Sequence, residues 1–216
     1  MAEKQGRLVI LISGRGTNMA RLIEASQKGE IPASVVCVFS DNPSARGIAV
    51  ADSMGIPTRV IDARSFPDRP SFFKKLLAEV KATEPDLICL AGFMKILPAE
   101  FIRAFPGRIM NIHPALLPSF PGLHAQRQAL EYGVKISGCT VHFVDEGVDT
   151  GPIVVQKAVP VHEDDTEQSL ARRILEQEHQ AYPEAVRLFF EGRLRIEGRR
   201  VRILPHSDLP IFQREG

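Results

Sequence analysis

The 216-residue sequence contains no tryptophan, two tyrosines and three cysteines, and each scarcity excludes a class of function. Proteins that stack nucleic-acid bases need exposed aromatic rings, which this composition does not supply. The cysteines, Cys37, Cys89 and Cys139, lie in apolar runs without a C-x-x-C pair, so we expect small core residues in a reducing compartment. No apolar run is long enough to span a bilayer, and the first residues lack the apolar region of a signal peptide. We therefore expect a soluble, cytoplasmic protein.

An excess of charge of one sign is also lacking. The chain has 27 basic and 26 acidic residues, which gives a net charge of +1. This balance excludes a broad nucleic-acid or anionic-membrane surface, although a local phosphate site remains possible. The length suits one α/β domain whose sheet is buried on both faces.

Strand and helix patterns alternate over the first two thirds of the chain. Strand patterns occupy residues 7–12, 34–39, 58–61, 86–91 and 108–112, and several are continuous apolar runs, typical of parallel strands buried on both faces. Helix-period patterns lie near residues 19–26, 44–54, 72–80, 126–132 and 166–191. Residues 137–144 alternate in polarity, and residues 152–161 can return antiparallel to them.

These patterns predict a single α/β domain over residues 1–216. The central sheet is expected to be mostly parallel, with helices on both faces and an antiparallel addition towards the C-terminal part. Residues 193–203 read as a small hairpin, so the last part of the domain, about 193–216, is expected to be a hairpin and tail.

A glycine turn, SGRGTN, follows the first strand and leads into the first helix. Backbone N–H groups at such a helix start, with the positive end of the helix dipole, form an anion site. Gly14 and Gly16 permit close approach of a phosphate, and Thr17 or Asn18 can cap the helix or donate to the ligand. The P-loop ending is missing, and Met19 replaces the third glycine of the dinucleotide fingerprint. A single phosphomonoester fits better than a pyrophosphate; the alternative is a turn without a ligand.

The strand over residues 108–112 ends in an N-x-H-P motif. Asn111 and His113 are two residues apart, so they project to the same face of a strand. An amide donor and an imidazole at a strand end suit acyl transfer, because the amide can hold an oxyanion while the imidazole moves a proton. Asp149, in a later loop, can supply the carboxylate that orients and charges the imidazole. The alternative is a strand end stopped by proline, without catalysis.

Other polar residues receive ordinary structural interpretations from the pattern alone. The acids of the loop after residue 144 match no calcium-loop spacing, so we predict no metal. His142 is expected to be a half-exposed strand residue. Glu178 lies on the polar face of the long C-terminal helix, and Arg69 lies at a helix entry, so both are expected to be solvated.

Five motifs together carry a resemblance that covers essentially the whole chain: SGRGTN, AGFMKIL, IMNIHPALLPSFPGLHA, HFVDEGVDTGPIVVQ and QEHQAYPEAV. They resemble the phosphoribosylglycinamide formyltransferases, the folate-dependent glycinamide ribonucleotide transformylases of purine synthesis. The N-x-H-P motif with the later aspartate marks the wider superfamily that uses formyltetrahydrofolate. The glycine turn and the LLPSFPGLHA loop point to the glycinamide ribonucleotide family in particular. The resemblance implies a single Rossmann-like formyltransferase domain.

The resemblance also implies roles for individual residues. Asn111, His113 and Asp149 would be the catalytic set. Gly16, Thr17 and Asn18 would hold the phosphate of glycinamide ribonucleotide, and Glu178 its ribose hydroxyls. Eight residues would line the site for the co-substrate 10-formyltetrahydrofolate: Arg69, Met94, Lys95, Ile96, Leu97, Asn111, Asp145 and Val148. Lys95 stands where arginine is commoner, which keeps the charge and loses the planar fork. Neither a metal nor a covalent enzyme intermediate is required, and we expect a monomer or weak homodimer.

Several rival functions remain. A formyltetrahydrofolate hydrolase would use the same triad with water as the nucleophile; such enzymes usually carry an extra N-terminal regulatory domain, whereas this sequence starts directly at its first strand. Formylation of methionyl-tRNA is disfavoured by the near-neutral charge and by the lack of a C-terminal RNA-binding domain. A nicotinamide-binding regulatory module would use Gly14, Gly16 and Asp41, but Met19 counts against it. A pure interaction protein would leave the polar groups at strand ends unexplained.

Overall fold

The computed structural model describes residues 5–206, and the chain divides into two compact units, Met1–Met110 and Asn111–Gly216. The first unit contains eight elements within its described residues: β1 (Gly6–Ile12), α1 (Thr17–Gln27), β2 (Ala33–Ser40), α2 (Arg46–Ser53), β3 (Thr58–Val60), α3 (Arg69–Lys81), β4 (Leu87–Leu90) and α4 (Ala99–Ala104), with a single 3₁₀ turn at Ala63–Ser65. Strand β5 (Ile109–His113) begins in this unit and ends in the second.

The sheet of the first unit is parallel, with the strand order β3-β2-β1-β4. Leu8 to Ile12 of β1 are fully buried, as the continuous apolar run predicted. Burial of each such side chain stabilises the fold by roughly 1.5–3 kcal/mol. The carboxyl ends of these strands lead into the glycine turn after β1 and the Gly92–Pro98 segment after β4, which places two predicted ligand segments in one unit.

Helix α3 shows how the local sequence fixes a helix start. The carboxylate of Asp68 caps the helix by accepting from the Ser71 N–H at 2.7 Å, and Pro70 occupies the first turn. The helix buries a continuous apolar stripe, namely Phe72, Phe73, Leu76, Leu77 and Val80. The sequence pattern predicted this stripe, but no bounds were predicted for the short helix α4.

The second unit contains the end of β5 and six further elements within its described part: α5 (Ala125–Tyr132), β6 (Ile136–Phe143), β7 (Ile153–Pro160), α6 (Glu167–Phe190), β8 (Leu194–Glu197) and β9 (Arg200–Ile203). Strands β6 and β7 are antiparallel, β7 and β9 are parallel, and β8 and β9 form the predicted hairpin. The predicted α/β class, mostly parallel with an antiparallel addition in the C-terminal part, is confirmed. No helix within residues 5–206 is both long and apolar enough to span a membrane.

Candidate active site

Asn111 and His113 project from the end of β5 into a polar cluster in the second unit. His113 is 4% exposed, and its Nε2 lies 2.8 Å from the Phe120 carbonyl oxygen. Its Nδ1 lies 3.3 Å from Oδ2 of Asp149. The structure therefore brings the three predicted catalytic side chains together, because Nδ2 of Asn111 also lies 3.5 Å from Oδ1 of Asp149.

Asp149 lies at the centre of this cluster. Its Oδ2 accepts from the Gly122 N–H at 2.8 Å, and its backbone has a φ of 53°, a conformation that non-glycine residues rarely adopt. Burial alone would raise the pKa of this carboxyl, but the adjacent His142, the Gly122 N–H and His113 hold its pKa below the ordinary value. Asp149 is therefore a stable anion at neutral pH, held where it faces both nitrogen-bearing side chains of β5.

The ring of His113 faces acceptors at both nitrogens. A neutral imidazole has one N–H and satisfies either Phe120 or Asp149, whereas the imidazolium satisfies both. Burial lowers the pKa of His113 below its ordinary value, against the opposing effects of Asp149 and the Phe120 carbonyl. The neutral ring therefore takes up a proton weakly, but once it is protonated both of its N–H groups have an acceptor, the Phe120 carbonyl and Asp149.

His142 on β6 is a member of the cluster that the sequence interpretation missed. The prediction of a half-exposed residue is wrong, since His142 is 2% exposed. Its Nδ1 lies 2.8 Å from the Phe143 carbonyl, so Nδ1 carries a proton. Its Nε2 lies 3.3 Å from Nδ2 of Asn111, from which it accepts in the neutral ring, and 3.6 Å from Oδ1 of Asp149. The signal in the sequence was the absence of any charged residue in SGCTVHFV, which indicates burial on both faces.

The contact with His142 fixes which way the Asn111 amide points. We expect His142→Phe to fill the space, remove the acceptor and lower kcat about tenfold, the scale for one lost positioning bond. His142→Gln can present an oxygen near the position of Nε2, and we expect it to retain most activity. Steady-state kinetics on both variants, with circular dichroism as a folding check, test this. Equal rates for the two variants would contradict it.

A polar clamp on β6 and β7 supports the loop that contacts His113 and Asp149. The hydroxyl of Thr140, which is fully buried, donates to the Ala115 carbonyl at 2.7 Å and accepts from the Leu117 N–H at 3.0 Å. The side chain of Gln156 donates to the Leu117 carbonyl at 2.9 Å and to the Thr140 hydroxyl at 3.0 Å. These bonds fix the start of the loop whose later residues include Phe120 and Gly122.

Thr140→Val is nearly isosteric and leaves the buried Leu117 N–H without its acceptor. We expect a loss of about 1–3 kcal/mol in the free energy of unfolding, the cost of a buried unsatisfied polar group. Urea unfolding measures it. The surface variant Thr58→Val removes a hydroxyl whose bond to Asp52 is exposed and should change stability by less than about 0.5 kcal/mol. Equal losses in the two variants would show that the clamp has no special role.

The loop over residues 145–151 is braced by its own side chains. The Asp145 carboxylate accepts from the Thr150 hydroxyl at 2.6 Å and from the Gly147 N–H at 3.1 Å. A side chain at Gly151 would collide with the Phe143 carbonyl, so only glycine fits there. Val148 is 46% exposed. The braced loop therefore fixes the position of Asp149, and it leaves the apolar side chain of Val148 exposed to solvent.

Glu178 of α6 is also buried, with 7% exposure, so the expectation of a solvated face is wrong. Burial raises the pKa of the Cys139 thiol to about 12, and the charge of Glu178 contributes to that rise. All three cysteines are buried, as predicted. A buried carboxylate on an amphipathic helix is positioned for a specific polar partner rather than for water.

In the first unit the glycine turn packs against the start of α2. Gly16 has a φ of 74° and provides no side-chain cap to α1. The Gly47 N–H donates to the Gly14 carbonyl at 3.0 Å, and a Cβ on Gly16 would lie 2.9 Å from the Gly47 Cα. Both the backbone angle and the close approach require glycine at Gly16. Thr17 and Asn18 follow as the first residues of α1.

Four of the predicted folate residues in the first unit line one pocket of about 450 Å³: Arg69, Met94, Lys95 and Ile96, together with Ala63, Phe66, Asp68 and Phe72. The Arg69 guanidinium donates to the Ile96 carbonyl and lies over the Phe73 ring, so this residue is engaged rather than simply solvated. Met94 and Ile96 are 66% and 55% exposed. Leu97 is buried and is absent from the pocket lining. A flat apolar ligand with polar edges suits this pocket.

The described residues include no candidate metal centre. Within the described part of the chain, no group of three or more His, Cys, Asp or Glu side chains is arranged to hold a metal ion. The cluster around Asp149 instead contains one carboxylate, two imidazoles and one amide. These groups suit proton transfer and oxyanion stabilisation in acyl transfer.

A model of the formyl transferase family matches residues 6–186. The chain therefore belongs to the formyl transferase family. It is 41% identical over 189 residues to phosphoribosylglycinamide formyltransferase of Escherichia coli, covering 88% of this chain and 89% of that protein. It is 50% identical over 194 residues to the trifunctional purine biosynthetic protein adenosine-3 of Drosophila melanogaster, covering 89% of this chain but 14% of that much longer protein.

Solved structures agree with this assignment of the fold. The chain superposes on glycinamide ribonucleotide transformylase 1 from Symbiobacterium toebii with a TM-score of 0.91 and 53% identity, covering 93% of this chain and 95% of that one. A formyltetrahydrofolate deformylase from Pseudomonas syringae pv. tomato gives a TM-score of 0.87 with 26% identity, covering 94% of this chain and 67% of that one. The fold is thus shared by transferases and a deformylase, and identity is greater to the transferase.

Proposed function

We propose that this protein transfers the formyl group of 10-formyltetrahydrofolate to the amine of glycinamide ribonucleotide, giving N-formylglycinamide ribonucleotide and tetrahydrofolate. The observation that carries the proposal is the cluster of Asn111, His113 and Asp149 at the end of β5. It is supported by similarity to two proteins named for this transfer, which extends over 88% to 95% of each chain compared. Such a step belongs to de novo purine biosynthesis. We expect a cytoplasmic protein that is a monomer or a weak homodimer.

The reaction needs no group beyond those in the cluster. The substrate amine attacks the formyl carbon, a C–N bond forms, and the carbonyl oxygen becomes an oxyanion on a tetrahedral carbon. The bond to N10 of the folate then breaks, and the proton lost by the amine is delivered to N10. His113, directly or through a water, carries that proton, and the charge of Asp149 stabilises the imidazolium formed on the way. Substrate contact at Nε2 requires the Phe120 carbonyl to release its bond.

Asn111 is proposed to donate to the oxyanion. Its contact with Asp149 is long, at 3.5 Å, so the N–H can turn to a closer, more basic acceptor as charge develops. We expect Asn111→Ala to lower kcat by about 10²–10³, the scale for one oxyanion donor, without unfolding the protein. Steady-state assays with thermal melts measure both quantities. A rate near that of the wild type would show that this amide does not stabilise the transition state.

Two polar groups of the amine substrate, its phosphate and its ribose hydroxyls, have proposed binding residues. The backbone at Gly16, Thr17 and Asn18, at the start of α1, would bind the phosphate, since N–H groups at a helix start and the positive end of the helix dipole favour an anion there. Glu178 would accept hydrogen bonds from the ribose hydroxyls through its buried carboxylate on α6.

Residues for folate binding are proposed in each unit by itself. Arg69, Met94, Lys95 and Ile96 line the pocket of the first unit, where Leu97 would contribute packing beneath or backbone contacts. Asp145 and Val148, with Asn111, would contribute from the second unit. The exposed apolar side chains of Met94 and Ile96 suit a flat heteroaromatic ring, and Val148 offers an exposed apolar side chain in the second unit.

A hydrolase remains the second candidate, because the deformylase from Pseudomonas syringae shares the fold. Amine-dependence of turnover separates the two. The first assay follows 10-formyl-5,8-dideazafolate spectrophotometrically with and without glycinamide ribonucleotide. Turnover that requires the amine supports the transferase; turnover of natural formyl-folate without the amine supports the hydrolase. No turnover in either arm would refute both.

A further inference from the structure

Strand β2 ends next to Asp41, a carboxylate with few partners. Its side chain is 8% exposed, and its Oδ1 is fully buried without a hydrogen-bond partner. The Nζ of Lys95 lies 3.4 Å from Oδ2 and is the one cation within ion-pair distance in the part of the chain that the structure describes. Because burying an anion is costly, this carboxylate depends on the charge of Lys95.

Lys95 belongs to the Met94–Ile96 segment that lines the proposed folate pocket. Its ammonium also lies 5.8 Å from the centre of the Phe72 ring, which adds a cation–π contact. The side chain is 36% exposed. Two protein partners therefore engage the charged end of Lys95 and keep it turned towards β2 and α3.

The same segment is held at two further points. The Ser13 hydroxyl accepts from the Met94 N–H at 2.9 Å, and the Arg69 guanidinium donates to the Ile96 carbonyl. Between those two points the segment has no helical or strand ladder. The side chain of Lys95 provides the third anchor, and that anchor ends on Asp41.

We infer that Asp41 is a positioning residue for the folate-binding segment, acting through Lys95. The ion pair holds the backbone of residues 94–96 in the shape that lines the pocket. Ligand contacts at Lys95 then come from its backbone, since its charge is already matched. Lysine can replace arginine at this position because the side chain pairs with Asp41 and does not need a planar fork to bind the ligand. The functional half of the inference rests on the proposed folate role of this segment.

The test uses Asp41→Asn, which keeps shape and removes charge, with Asp52→Asn as a matched surface control in the same unit. We expect Asp41→Asn to raise the KM for 10-formyl-5,8-dideazafolate about tenfold, the scale of coupling between contacting residues. The KM for glycinamide ribonucleotide and kcat should change far less. A variant with no selective effect on the folate KM would overturn the inference.

A second readout does not depend on folate binding, because the bond after Lys95 is a tryptic site. In Asp41→Asn we expect limited trypsin digestion, followed by mass spectrometry, to cut this bond about tenfold faster than in the wild type, because opening of a local segment controls cleavage. Lys95→Arg keeps the charge and a tryptic bond and should resist cleavage like the wild type.

The two readouts separate the possible failures. Wild-type cleavage rates in Asp41→Asn would overturn the ion pair as an anchor, whatever the enzyme's activity. Faster cleavage with an unchanged folate KM would overturn the positioning role, while amine-dependent turnover by the wild type would leave the proposed function intact. Selective loss of folate affinity together with faster cleavage supports the inference.

Discussion

His113→Ala is expected to lower kcat by about 10²–10³, the scale for losing a general acid–base group. The imidazole is placed between two acceptors, the Phe120 carbonyl at 2.8 Å and Asp149 at 3.3 Å, and no other titratable side chain of the cluster projects from β5. Asn111 cannot carry a proton, and the lowered pKa of Asp149 keeps its carboxyl ionised, so it has no proton to give and only a weak tendency to take one. The variant should therefore retain substrate binding and lose the proton path.

The measurement is steady-state turnover with both substrates saturating, beside a thermal melt. His162→Ala is the matched control, because His162 is an exposed histidine of the same unit. We expect the control to keep its rate. Imidazole added to the assay should restore part of the rate of His113→Ala if proton transfer is what was lost. Wild-type turnover by His113→Ala would refute the assignment of the proton carrier.

The parts of this fold that local pattern determines could be read from the sequence. The apolar run of β1 requires burial on both faces, and the two-residue period of a strand puts Asn111 and His113 on one face. The glycine turn could be placed because Gly16 must adopt a positive φ before α1. These features depend on residues close in sequence, so their physics is visible in a short window.

Features that depend on distant contacts could not be read in that way. The exposure of His142 was predicted wrongly, because the alternation in SGCTVHFV was taken to mean that one face of β6 is open to solvent, whereas both faces are buried. Glu178 looks solvated on a helical wheel and is buried. The pairing of Asp41 with Lys95 joins residues 54 positions apart, and no periodicity relates them. The role that the resemblance gives Glu178 at the substrate stays a prediction, and the contact of His142 with Asn111 needed the three-dimensional structure.

Asp149→Asn is expected to lower kcat by roughly 10³, because a triad carboxylate both orients and charges its imidazole. An asparagine oxygen would still accept from Gly122 N–H, but its NH₂ would then face Nδ2 of Asn111, and two donors repel. The variant also removes the one anion facing His113 in the described part of the second unit.

The pH dependence follows from the sign of that charge. Asp149 raises the pKa of His113 against the lowering effect of burial, so its removal should lower the pKa of His113 further. Titration of the His113 ring by NMR measures this, with Asp164→Asn, an exposed carboxylate of the same unit, as the control. Stability should respond as well. Because folding lowers the pKa of Asp149, its ionised carboxylate stabilises the fold at pH values above its unfolded pKa, near 3.8. That contribution is lost as pH falls through the folded pKa. An unchanged titration of His113 in Asp149→Asn would show that the 3.3 Å contact carries no charge coupling.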